Sequence, residues 1–224
     1  MPETRAICLK HFDFLHLNLF RISDFVLRAL PLTLLLVLAP KGSLADDRTS
    51  ETQVFGITAR GSSFVYVFDR SLSMQGPALA AAKRELLSSL GHLKPVQQFQ
   101  IIFYNEKPKM MPSPQLLFAD DNGLRQAASF VGSITASGGT DHVQALELAL
   151  RLQPDVIFLL TDADEPPLSA RDLNAIHQKS TAIINVIEFK TGSAAAKRSS
   201  LRQLADQNRG EYKAIDTNSL NAAK

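Results

Sequence analysis

Two apolar runs that each end in an aspartate constrain this chain more than any other feature: SFVYVFD at 63–69 and DVIFLLTD at 155–162. Both are rich in β-branched and aromatic residues, and length and composition predict a strand in each case. The first is apolar on both faces, so it needs cover on both, as a central strand of a parallel sheet does. A carboxylate at the carboxyl end of such a strand meets solvent and helix N-termini instead of core. Ligands of open α/β sheets bind at that edge, where the winding direction reverses.

The remaining pattern agrees. Residues 52–58 predict a strand weakened by Gly56, and 59–62 a turn. Pro77 opens a helix on which Leu79, Ala82, Leu86, Leu90 and Leu93 share a face, with Gly91 and Pro95 ending it. Residues 98–104 (QFQIIFY) predict a second strand, and 107–118, with three prolines, a loop plus a short edge strand. Helices are expected at about 121–134, 141–152, 169–178 and 195–208, the last closed by Gly210, and further strands at 182–189 and 211–215. Strands alternating with helices predict an α/β fold: a doubly wound, mainly parallel central sheet with helices on both faces.

Residues 1–45 read as a signal peptide or an N-terminal membrane anchor, and 46–224 as one domain. The apolar run 29–39 (ALPLTLLLVLA) is shorter than the roughly 20 residues a bilayer needs. Arg21 and Arg28 precede it, and Ser43-Leu44-Ala45 follows as a small-x-small cleavage pattern. Export to a periplasm, a cell surface or the medium is the expectation, with an uncleaved anchor as the alternative. Five of the 24 basic and three of the 22 acidic residues lie in this segment, which leaves 19 of each sign beyond it. A balance without a basic block speaks against a nucleic-acid partner. The single cysteine, Cys8, also lies there, so the domain has no disulfide, thiolate metal site or cysteine nucleophile.

After the first apolar run comes Asp69-Arg70-Ser71-Leu72-Ser73. Alternate residues leaving a strand point the same way, so one carboxylate and two hydroxyls can converge. These are hard oxygen donors, suited to Mg²⁺, Mn²⁺ or Ca²⁺ and unsuited to zinc or copper. Gly138-Gly139-Thr140-Asp141 precedes a helix, and Leu159-Leu160-Thr161-Asp162 ends the second run. Together these three pieces resemble the metal-ion-dependent adhesion site of von Willebrand factor A (vWA) domains, a Rossmann-like fold. The resemblance covers 52–215. It implies a divalent-cation site, with Mg²⁺ first and Mn²⁺ or Ca²⁺ as alternatives, held by Asp69, Ser71, Ser73, Thr140 and Asp162. The family often has glycine where Leu72 and Ala163 stand, which bears on loop shape more than on metal binding.

Plainer readings compete residue by residue. Ser71 and Ser73 also suit the cap of the helix at Pro77, and Thr140 a helix N-cap. Asp141 reads as a first-turn helix acid and His142 as a solvent-facing helix residue, while His92 and His177 sit at helix ends. Arg70 is either a lure for an anionic ligand or a solvated loop residue. Asp164 and Glu165 form a lip or outer groups beside Asp162.

The resemblance implies a metal-dependent protein-binding module for adhesion or assembly, in which a partner Asp or Glu completes the cation's shell. A structural subunit of an envelope or surface assembly, stabilised by the metal, is the alternative. A metal-dependent hydrolase is disfavoured: there is no phosphate loop, no G-x-S-x-G elbow, and Ser71 stands where an aspartyl-phosphate phosphatase has its second acid. No enzyme activity is expected, and a monomer is the default.

Overall fold

The run SFVYVFD forms a strand buried along its whole length. The computed structural model describes residues 49–162, 165–191 and 199–220. Its strands are β1 (Ser50–Val54), β2 (Ile57–Gly61), β3 (Ser63–Asp69), β4 (Gln98–Tyr104), β5 (Pro108–Met110), β6 (Leu117–Phe118), β7 (Val156–Thr161), β8 (Ile183–Lys190) and β9 (Tyr212–Asp216). Its helices are α1 (Pro77–Gly91), α2 (Asp121–Ser133), α3 (His142–Arg151), α4 (Ala170–Lys179), α5 (Ser200–Gln207) and α6 (Thr217–Leu220). The expected leader or anchor at 1–45 lies outside the described residues, as does Asp164. No helix among the described residues is long and apolar enough to cross a membrane.

The sheet runs β5-β4-β3-β7-β8-β9, with β6 also pairing with β4. From β4 to β9 the strands are parallel, while β5 and β6 run antiparallel to β4. The expected doubly wound, mainly parallel sheet is therefore present. Strand alternation divides its core into two faces. Phe64, Tyr66 and Phe68 of β3 join Phe99 and Phe103 of β4 and Phe158 of β7 on the face covered by α1 and α2. Val65 and Val67 join Ile102, Ile157 and Leu159 on the face covered by α3, α4 and α5. Tyr66 stacks on Phe158 at 5.6 Å, and Phe68 meets Phe103 edge-on at 6.2 Å. β4 lies on one side of β3 and β7 on the other. The winding reverses there, so the carboxyl ends of β3 and β7 flank the crevice.

Two stretches differ from expectation, 107–118 and 52–61: the first supplies two short strands, β5 and β6, where one was expected, and in the second 59–61 belong to β2 and not to a turn. Residues 52–58 are not a single strand: Phe55 (φ 48°) and Gly56 (φ 76°) form a two-residue turn, and β1 and β2 pair antiparallel as a hairpin. Two consecutive left-handed residues match the twist of a tight hairpin. A phenylalanine adopts this conformation only where its surroundings hold it. Here the Phe55 amide donates to the Glu85 carboxylate at 2.5 Å, and its ring packs edge-on against Phe189 at 5.2 Å.

The exposed side of β4 is fully used. β6 covers Gln98 and Phe99, and β5 covers Ile102 to Tyr104. Between them the Gln100 amide donates to the carbonyls of Ser113 and Gln115, both at 3.0 Å, and Ile101 accepts from the Met111 amide at 2.9 Å.

Candidate functional site

Register places Phe68 of β3 beside Leu160 of β7, so the next residues, Asp69 and Thr161, meet at the crevice. The Thr161 hydroxyl donates to Asp69 Oδ2 at 2.6 Å, and the Ser71 amide donates to Oδ1 at 2.7 Å. Asp69 has no exposed surface. Burial pushes its carboxyl up to about 6; the bonds from Thr161 and Ser71 pull it back, and the Asp162 charge adds to the rise. A carboxyl whose folded pKa lies above its unfolded value stabilises the fold below the unfolded pKa. That contribution is lost as pH rises through the folded one. In chelator, wild type should therefore gain on the order of 1 kcal/mol relative to Asp69→Asn between pH 7 and pH 5. Urea denaturation at the two values checks this, and an unchanged difference would rule out a raised pKa.

Beyond Asp69 the chain makes one 3-10 turn at 72–74, and here Ser71 and Ser73 converge. Their hydroxyls lie 3.1 Å apart, and Ser73 Oγ donates to Asp162 Oδ1 at 2.8 Å. Burial also raises the Asp162 carboxyl, opposed by the Ser73 bond. Neither serine caps α1, whose N-cap is Gly76 without a side-chain bond. The capping reading of Ser71 and Ser73 therefore does not hold, and four of the five expected ligands share one hydrogen-bonded network.

Thr140 stands apart from that network. The loop before α3 is laced to the β3 turn: the Ser137 amide donates to the Arg70 carbonyl at 2.8 Å, and the Leu72 amide to the Gly138 carbonyl at 3.0 Å. Asn105 holds the same loop through Ser137 O at 2.8 Å. Thr140 is half-buried in it and makes no hydrogen bond to Asp69, Ser71, Ser73 or Asp162 among the described residues. Asp141 is the N-cap of α3, accepting from the amides of Val143 at 3.0 Å and Gln144 at 3.2 Å. Asp141, and not Thr140, is thus the cap of α3, one residue before the first turn in which it was expected.

Two readings of neighbouring residues change. Arg70 does not serve as a free lure, because its Nη1 donates to Ser137 Oγ at 2.7 Å and secures the loop. His142 is not solvent-facing: it is 1% exposed, with Nδ1 2.9 Å from the Tyr104 hydroxyl. It begins the buried stripe His142, Ala145, Leu146, Ala149 and Leu150 at helical spacing. Thr161 as the clamp on Asp69, and Asn105 as the loop's anchor, escaped sequence reasoning. Thr161 carried a signal, since residues in register on neighbouring strands project to the same face, which sets its hydroxyl beside Asp69.

The donor set fits a hard divalent cation. No group of three or more His, Cys, Asp or Glu could hold a metal among the described residues, so hydroxyls must contribute. Octahedral Mg²⁺ at about 2.1 Å from each oxygen sets adjacent ligands about 3.0 Å apart. The Ser71–Ser73 and Ser73–Asp162 separations, 3.1 and 2.8 Å, are edges of that size.

Residues 64–165 match the family described as von Willebrand factor type A domain. The human inter-alpha-trypsin inhibitor heavy chain H4 is 30% identical over 122 residues, covering 49% of this chain. That match spans 13% of the relative's length. Among solved structures, a von Willebrand factor type A protein from Catenulispora acidiphila superposes with a TM-score of 0.61 at 24% identity, over 77% of this chain and 46% of its own. Proximal thread matrix protein 1 from the mussel byssus does so at 0.52 and 18%, over 71% and 43%. At these identities the two structures bear on the fold.

Proposed function

We propose that this von Willebrand factor type A domain binds a protein ligand through a divalent cation, with a partner Asp or Glu completing the cation's shell. Asp69, Ser71, Ser73 and Asp162 would hold the metal, with Thr140 as the fifth ligand from its loop. Mg²⁺ is the first choice, with Mn²⁺ and Ca²⁺ as alternatives. The observation that carries the reading is the convergence of four oxygen-bearing side chains, Asp69, Ser71, Ser73 and Asp162, in one network at the sheet's crevice. A bound cation supplies an electrophilic point for a carboxylate. The chain's own part is to orient: Thr161 and the Ser71 amide hold the Asp69 carboxylate in place. Ser73 has to turn the proton it gives Asp162 away from the metal. The reading is of binding without turnover, with the carboxylate that Ser73 meets assigned as a ligand and not as a base. With the apolar run at 29–39 ahead of it, we place the domain outside the cytoplasm or anchored at a membrane.

A random-peptide display panned on the protein in saturating Mg²⁺, then repeated in chelator, tests this. Sequences enriched only with Mg²⁺ should share an Asp or Glu, and Ser71→Ala should lose them. Enrichment indifferent to acidic residues or to chelator overturns the reading. Metal-dependent melting with no enriched peptide would turn it toward the metal-stabilised structural subunit.

A further inference from the structure

We propose that the cleft beside Asp162 receives a second carboxylate of the same ligand on Lys190; this rests on the cation-bridged reading above. Register sets Thr161 of β7 against Glu188 of β8, so the ends of the two strands lie side by side. A cleft of about 490 Å³ opens there. Ser73 and Asp162 of the candidate metal site line it, as do Glu188, Lys190, Thr217 and Asn218. Glu188 brings a second carboxylate to the wall, and Lys190, Thr217 and Asn218 bring hydrogen-bond donors.

Lys190 is held in place by a built support. Glu188, two residues earlier on the same side of β8, is 3% exposed. Its Oε1 lies 3.1 Å from Lys190 Nζ, and its Oε2 accepts from the Tyr212 hydroxyl. The Arg202 guanidinium sits 4.2 Å above the Tyr212 ring. Both oxygens of Glu188 are thus engaged inside the protein. The Lys190 ammonium has three donors and spends one on Glu188. Its side chain keeps 22% of its surface exposed. Thr217 Oγ1 donates to the Lys190 carbonyl and meets Thr191 Oγ1, each at 3.3 Å, which fixes the far wall. A ligand with one carboxylate toward Ser73 and Asp162 would find a cation for the next acid along the cleft. The occupant is therefore an extended peptide with two acids close in sequence.

The test uses the full chain in saturating Mg²⁺ and two glycine-rich peptides, titrated by NMR. One carries a single aspartate; the other carries two, separated by one glycine. Wild type should prefer the two-acid peptide by roughly fivefold or more, the size of one partly screened ion pair and above the statistical factor of about two. Lys190→Met should reduce the preference to about twofold and leave the one-acid affinity unchanged, which also shows that the variant is folded. Lys190→Arg should retain the preference. Equal affinity in wild type, or a preference that survives Lys190→Met, overturns the inference while the one-acid binding upholds the cation-bridged reading. Binding of neither peptide overturns both.

Discussion

Saturating Mg²⁺ should raise the melting temperature of this protein by about 5–10 °C, and Asp69→Ala should abolish the rise. A ligand at a hundred times its Kd stabilises the folded state by about 2.7 kcal/mol, and a domain of this size gains roughly 2–4 °C per kcal/mol. Asp69 is the group whose loss removes most. It has no exposure, so in the metal-free protein its charge is costly, and a cation would offset that cost directly. Truncation also leaves the Thr161 hydroxyl and the Ser71 amide without the oxygens they bond. Asp69→Asn separates the two effects, because an amide of the same size keeps an acceptor and loses the charge. The rise should vanish in both variants. Calorimetry with chelator, Mg²⁺, Mn²⁺ and Ca²⁺ reads it out. A rise that persists in Asp69→Ala would place the cation elsewhere, and no rise with any metal would defeat the metal reading.

Gly210→Ala should cost about 3 kcal/mol or more, at a position far from any ligand. A Cβ there would lie 1.8 Å from the Ile184 carbonyl oxygen, 2.4 Å from its carbon and 3.0 Å from the Asn185 nitrogen. These are backbone atoms of β8, with no flexible end to yield. The surrounding bonds tie α5 to β8 and β9. Gly210 donates to Ala205 O at 3.0 Å to close the helix, Ile184 donates to Asn208 O at 3.3 Å, and Val186 to Glu211 O at 2.8 Å. Admitting a methyl means prying this junction open. Gly132, in α2, is the control, because an added Cβ meets nothing within 4 Å. Gly132→Ala should be neutral or stabilise by up to about 1 kcal/mol. Urea midpoints of both variants check the pair; a Gly210→Ala loss below about 1 kcal/mol would show that β8 moves easily.

Much of this was legible beforehand, and the misses share physical causes. The strands 63–69 and 98–104 match their expected limits residue for residue, because apolar runs covered on both faces admit few alternatives. The convergence of Asp69, Ser71, Ser73 and Asp162 was legible because their oxygens recur at strand ends and at i, i+2 spacing, whereas Thr140 was expected beside them and bonds to none of the four. The hairpin was not, since Phe55 holds a left-handed conformation that packing on Phe189 and the Glu85 bond sustain. His142 misled because an imidazole reads as polar until Tyr104 supplies a buried partner. Gly210 closes α5 as expected, following Arg209, which takes the left-handed conformation at φ 60°, in a Schellman closure. The glycine is needed for the close approach of β8, a tertiary fact invisible in local pattern.

The covering of β4 has a consequence for how the protein survives at high concentration. QFQIIFY has the composition of a segment that stacks into fibrils: high β-propensity, no formal charge and no proline. In the native sheet β5, β6, the Met111 amide and the Gln100 side-chain oxygen, which accepts from the Ile101 amide, together occupy its outer backbone, so it offers no template to another molecule. The proline-rich stretch 107–118 thus acts as a guard on the most sticky strand of the chain. Changes that detach this guard would leave the domain folded and its sheet edge open to pairing with another copy, so that it polymerises.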